Sequence, residues 1–155
     1  MREQQAFYQA VANRLFCEYE SSQIVENGIL NIDGACILIR RKGSRYIISG
    51  LWPRGQDGYL FSPRGEGPHI TCSADKTPDQ VAMDISRRFV PAFMPVWAEL
   101  DAQRKARDQR LARQHATLRR ISDHVGIPLD PPVHSYGLPR FRWQSGDAIQ
   151  FEAVI

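Results

Sequence analysis

The chain has 155 residues, 43% hydrophobic and 24% charged, the makeup of one ordinary globular domain large enough to bury its own core. Its formal charge of +3 is too small to mark a nucleic-acid-binding protein by itself, so electrostatic arguments rest on where the charges sit. The three cysteines, Cys17, Cys36 and Cys72, are odd in number and far apart, which fits reduced thiols in a cytoplasm and argues against a disulfide framework.

The opening MREQQAFYQAVANRLF lacks the uncharged apolar core of a signal peptide, and no run approaches the ~20 apolar residues that span a bilayer. A soluble cytoplasmic protein with no membrane partner is expected. Residues 2–19 place Phe7, Val11 and Leu15 at i, i+4, i+8 with Tyr8 and Phe16 beside them, which predicts an amphipathic helix ended by Ser21, Ser22 and Asn27-Gly28. Residues 35–41 and 45–52 are β-branched runs joined by Lys42-Gly43-Ser44, a hairpin, and residues 69–73 supply a third strand. Between them Pro-Arg-Gly occurs twice, at 53–55 and 63–65. In both, Pro fixes the second position of a turn and Gly the fourth, so Arg54 and Arg64 are expected in turns with their side chains in water.

Thr77-Pro78-Asp79-Gln80 has every feature of a helix start: a Thr cap, Pro in the first turn, an acid, and a Gln placed to close a capping box. Val81, Ile85 and Phe89 follow on one face. Pro91 and Pro95 are expected to break or bend the helix, which resumes and runs to Val125, where Gly126 and Pro128 stop it. Asp130-Pro131-Pro132 and Gly137-Leu138-Pro139 read as an irregular connection. Residues 140–144 and 148–155 read as a final hairpin across Ser145-Gly146-Asp147. The expected fold is a single α+β domain over residues 1–155: an N-terminal helix, a small antiparallel sheet of about five strands, and a long kinked central helix whose residues 99–120 project from the core.

Catalytic patterns are absent. The chain has no nucleophile elbow, phosphate-binding loop, zinc-protease pair or dinucleotide-binding glycine pattern, so no catalytic residue, metal or cofactor is assigned. His69 and Cys72, three apart in a strand, face opposite sides of a sheet and cannot share an ion without a bulge. LRRISDHVGIP, residues 118–128, has the outline of a first helix and glycine turn of a DNA reader, but Pro131-Pro132 forbids the recognition helix that must follow. In residues 99–120, Arg104, Lys105, Arg107, Arg110, Arg113, Arg119 and Arg120 outnumber Glu99, Asp101 and Asp108. At 100° per residue these cations spread around the helix. The apolar positions Leu100, Leu111, Leu118 and Val125 are interrupted by Arg104 and Arg107 in a helix of about 50 Å, which makes a second copy of the chain the cheapest partner for its middle. Arg140 and Arg142 alternate with Phe141 and Trp143, which puts core aromatics beneath an arginine face.

SADKTPDQVAMDISRRFVPAF, residues 73–93, resembles a stretch in small uncharacterised proteins of phages and mobile elements, where a strand leads to a Pro-capped helix with an xDIxRRxxPxY pattern. Asp84-Ile85, Arg87-Arg88 and Pro91 match it, and Phe93 replaces the usual Tyr. The resemblance implies an origin and no functional residue. The expected function is that of a non-enzymatic binding protein that docks on a host protein or ribonucleoprotein complex and inhibits a defence system, with nucleic-acid binding as the alternative. Arg54, Arg64, Arg104, Arg107, Arg110, Arg140 and Arg142 are the expected contact residues, and a homodimer through the long helix is the expected assembly.

Overall fold

The computed structural model describes the backbone of residues 2–21, 27–126, 128–130, 140–144 and 150–153, with side chains for residues 3–20, 27–126 and 128. Elements follow the order α1 (Arg2–Leu15), β1 (Glu18–Ser21), β2 (Asn27–Ile32), β3 (Ala35–Lys42), β4 (Arg45–Leu51), β5 (His69–Ser73), α2 (Pro78–Asp84), a π-helical turn (Ile85–Phe89), α3 (Val90–Val125), β6 (Leu129–Asp130), β7 (Arg140–Gln144) and β8 (Gln150–Ala153). This is an α+β arrangement with a five-stranded antiparallel sheet in the order β1-β2-β3-β4-β5 and a separate three-stranded sheet, β6-β7-β8. Two compact units result, one of Met1–Pro53 with Ser62–Asp101 and the other of Arg54–Phe61 with Ala102–Ile155.

In the first unit the sheet alternates cleanly. Paired residues share a face, and one face carries Tyr19, Leu30, Ile37, Ile39, Tyr46, Ile48 and Cys72 into a core closed by Tyr8 and Val11 of α1, Val81 of α2, Ile85 and Phe89 of the π turn, and Phe93 of α3. Phe7 stacks on Tyr46 at 4.9 Å between centroids, and Phe89 stacks on Phe93 at 4.9 Å. Gly28 is required by this packing, since a Cβ there would stand 2.6 Å from the Tyr8 ring. The His69 and Cys72 side chains do lie on opposite faces, as their spacing predicts: His69 pairs with Ser49 and Cys72 with Tyr46.

Helix α1 ends four residues before the expected Tyr19. Phe16 takes a left-handed φ of 53° and is 97% exposed, so it leaves the stripe to which its spacing assigned it. The freed chain forms β1 and β2, and Asn27-Gly28, expected to end the helix, opens a strand. Asp33 (φ 51°) and Gly34 (φ 84°) then make the two-residue turn into β3. The Gly43-Ser44 hairpin and the third strand, His69–Ser73, stand where the sequence places them.

The helix start is also as expected. Thr77 Oγ1 accepts from the Gln80 amide at 3.3 Å and Gln80 Oε1 accepts from the Thr77 amide at 3.0 Å. Thr77→Ala should therefore cost about 1 kcal/mol in urea unfolding, while Thr77→Ser should cost a small fraction of that. Equal losses in the two variants would assign the effect to the lost methyl and not to the cap.

Pro91 and Pro95 do not break the helix. The departure from α geometry comes one turn earlier, at Ile85–Phe89, and α3 then runs 36 residues through both prolines. The backbone is helical without a break from α2 through the π turn into α3, so Pro91, like Pro95, lies inside a continuous helix; both prolines are exposed, so the carbonyl that Pro95 leaves unpaired stands on the solvent side. Of the resemblance motif, Asp84, Ile85, Arg88 and Pro91 take places in the helix framework, while Arg87 is exposed. Asp84 pairs with Lys76 at 2.5 Å and faces Arg88 at 3.8 Å, Ile85 and Phe89 are buried, and Pro91 follows the π turn. Gly126, at φ 71°, ends α3 with its amide on Ser122 O.

In the second unit β7 pairs with β8 as the expected final hairpin, Trp143 opposite Phe151 and Arg142 opposite Glu152, and β6 adds a strand at the start of what reads as an irregular connection. The turn at 145–147 and the prolines at 131, 132 and 139 lie outside the described residues, as do the side chains of Arg140, Phe141, Arg142 and Trp143.

Candidate functional site

Arg54–Phe61 and the second-unit part of α3 bring four of the expected contact residues, Arg54, Arg104, Arg107 and Arg110, into one unit. The loop folds back on itself. Arg54 forms an antiparallel bridge with Leu60, the Gly55 amide donates to Tyr59 O at 2.9 Å, and the Gly58 amide donates to Gly55 O at 2.9 Å across Gln56-Asp57. Arg54 is therefore a bridge residue and not the third residue of a Pro-started turn. The turn lies two residues further on, where Gly58 supplies the φ of 80° it needs.

Two acids of this unit tie the loop to the helix. Asp57 Oδ1 accepts the Tyr59 amide at 3.0 Å, and its Oδ2 accepts Nε and Nη2 of Arg107 at 2.9 and 2.7 Å. Asp108 Oδ1 accepts the Gln56 amide at 3.0 Å, and its Oδ2 accepts Nη1 of Arg104 at 3.0 Å. Both carboxylates close over Gly55, where a Cβ would come within 2.8 Å of Asp57 and 3.1 Å of Asp108. Burial pushes the Asp57 carboxyl up, but the Tyr59 amide and the hydrogen bond and charge of Arg107 together outweigh it and hold the group below the usual carboxylate range. Arg107 also lies 4.6 Å over the centre of the Tyr59 ring, which meets Phe61 edge-on at 4.9 Å.

Arg104 and Arg107 thus spend their charge inside the unit, on buried acids. What the clamp leaves at the surface is Arg54, Tyr59 (48% exposed) and Leu60 (43%), with Arg110 exposed one helical turn beyond Arg107. Paired across the bridge, Arg54 and Leu60 point to the same side. Arg64 is exposed in a bend with Gly65 at φ 81°, and it belongs to the first unit. Along the apolar stripe of α3, Leu100 and Leu118 are buried, Leu111 is half-buried, and Ile121 and Val125 are exposed.

The sequence signals for this site are local and few. Asp57-Gly58 is a turn pair, and Arg104 stands four residues before Asp108. The Asp57–Arg107 pair spans 50 residues and leaves no local trace. Among the described residues no helix is long and apolar enough to cross a membrane. No family model, curated protein or solved structure matches the chain.

Proposed function

We propose that the chain is a non-enzymatic binding protein of phage or mobile-element type that docks on a host protein or ribonucleoprotein complex and inhibits a host defence system. The observation that supports docking is the clamped loop. A Tyr, a Leu and an Arg are held out on a backbone fixed by four hydrogen bonds and two ion pairs with buried carboxylates. Large side chains of these types on a preordered backbone suit a protein contact, because little ordering entropy remains to be lost on binding. Arg54 and Arg110 favour an acidic partner surface. One face of the Tyr59 ring is already taken by Arg107, which leaves less of it for stacking on a base. The origin rests on the resemblance over residues 73–93.

The test is retention of a host complex on immobilised chain from lysate with and without nuclease. Retention should survive nuclease and moderate salt. Arg54→Glu should weaken it roughly tenfold, the ~1.4 kcal/mol scale of a lost charge-assisted contact, with Tm unchanged within a few degrees. Arg64→Glu, made separately, reports whether the first unit contributes. Retention that vanishes with nuclease, together with a steep salt slope on random DNA or RNA, would replace this reading with the nucleic-acid one.

A further inference from the structure

The second face of the five-stranded sheet takes no part in the clamped loop or in the core. Register assigns to it Glu18 and Glu20 of β1, Asn27, Ile29 and Asn31 of β2, Cys36, Leu38, Arg40 and Lys42 of β3, Arg45, Ile47, Ser49 and Leu51 of β4, and His69, Thr71 and Ser73 of β5. Its middle is aliphatic. Ile29 pairs with Leu38, Cys36 with Leu51 and Arg40 with Ile47, and these five apolar side chains, Ile29, Cys36, Leu38, Ile47 and Leu51, are half-buried. The charges around them are sorted by sign. Glu18 and Glu20 line the β1 edge, while Arg40, Lys42 and Arg45 crowd the β3–β4 hairpin end, and all five are exposed. Burial pushes the Cys36 thiol up and the Glu20 carboxylate adds to this, which agrees with the acid edge lying beside the apolar middle.

An apolar centre with a charged rim is the anatomy of a protein contact. The sign pattern selects the occupant. A two-fold axis in the plane between two such faces lays the acidic edge of one copy over the basic hairpin end of the other, and does so twice, while the aliphatic middles meet at the sheet-on-sheet spacing of about 10 Å. A partner of uniform charge would match one end and be repelled by the other. We infer that this sheet face binds a second copy of the chain, forming a two-fold dimer held by the Ile29–Leu38–Ile47 centre and by reciprocal pairing of Glu18 and Glu20 with Arg40 and Arg45. The inference is independent of the clamped loop. It also moves self-association from the apolar stripe of α3, where Leu118 is already buried, to the sheet.

The test uses the full chain and its charge-reversed forms in sedimentation equilibrium across the micromolar range. The unmodified chain is expected to dimerise. Glu18→Lys/Glu20→Lys should weaken dimerisation at least tenfold, and so should Arg40→Glu/Arg45→Glu, because like charges then face each other. Mixing the two variants should restore dimers, since the reversed β1 edge of one then meets the reversed hairpin end of the other and the two native patches meet each other. All four positions are exposed, and circular dichroism checks that each variant keeps its fold. An unmodified chain that stays monomeric would overturn the inference. Variants that dimerise like the unmodified chain would also overturn it, as would folded variants whose mixture remains monomeric.

Discussion

Gly50→Ala is expected to destabilise the chain by about 1–3 kcal/mol, the scale of overpacking, although alanine in a strand would normally gain about 0.5–1 kcal/mol over glycine in backbone entropy. The reason is the Phe93 ring, which occupies the space a Cβ at Gly50 would need. The ring cannot swing aside freely: it is fully buried, stacked on Phe89 at 4.9 Å and tilted against Trp52 at 5.4 Å. Phe93→Ala alone should cost about 3–5 kcal/mol for the lost burial and the cavity. The double variant separates the causes. Once the ring is gone the methyl has room, so adding Gly50→Ala to Phe93→Ala should be neutral or slightly stabilising. Urea unfolding followed by circular dichroism gives the four free energies. Strictly additive losses would show that glycine is kept at position 50 for some reason other than the ring.

Features built from a few neighbouring residues are legible in the sequence, and features built from distant ones are not. Lys42-Gly43-Ser44, Thr77-Pro78-Asp79-Gln80 and Gly126 declare themselves because each is a backbone device confined to a few residues, and all three appear in place. Ile32-Asp33-Gly34-Ala35 is as clear a hairpin signal, but the helical spacing of Phe16 and the stop pattern of Asn27-Gly28 point the preceding segment towards helix. Periodicity alone could not show that the chain turns left-handed at Phe16. Pro95 misleads in the opposite sense, since exposure on the solvent side lets a helix tolerate what a buried position would not. For the candidate site, the arginines were legible as residue types only. Which of them are spent internally depends on Asp57 and Asp108 meeting Arg107 and Arg104, and one of those pairings joins residues 50 apart.

Arg107→Met should release the Arg54–Phe61 loop. Asp57 keeps only 7% of its side chain exposed, so losing the guanidinium leaves a nearly buried carboxylate with the Tyr59 amide in place of an ion pair. The local cost is expected at about 1–3 kcal/mol, below the roughly 3–5 kcal/mol of a fully buried pair, because Arg107 itself is 40% exposed and partly screened. Hydrogen exchange of the Gly55, Gln56, Gly58 and Tyr59 amides reads the cost directly, since each is a donor in the clamp.

The pH dependence fixes the mechanism. Asp57 has a depressed pKa in the folded chain, so its contribution is complete above the unfolded carboxyl value of about 3.9 and is lost as pH falls through the lower folded value. The protection gap between the unmodified chain and Asp57→Asn should be constant near neutrality and close below pH ~4. In Arg107→Met, burial is opposed by the Tyr59 amide without the guanidinium, so protonation relieves the carboxylate and the gap to the unmodified chain narrows as the solution is acidified. A gap of the same size at neutral and acidic pH would show that Arg107 holds the loop by stacking on Tyr59 and not by charge. Under the proposed docking role, the same substitution should also weaken partner binding. A loosened loop must be reordered before Arg54, Tyr59 and Leu60 can make contact, and that ordering cost is subtracted from the affinity.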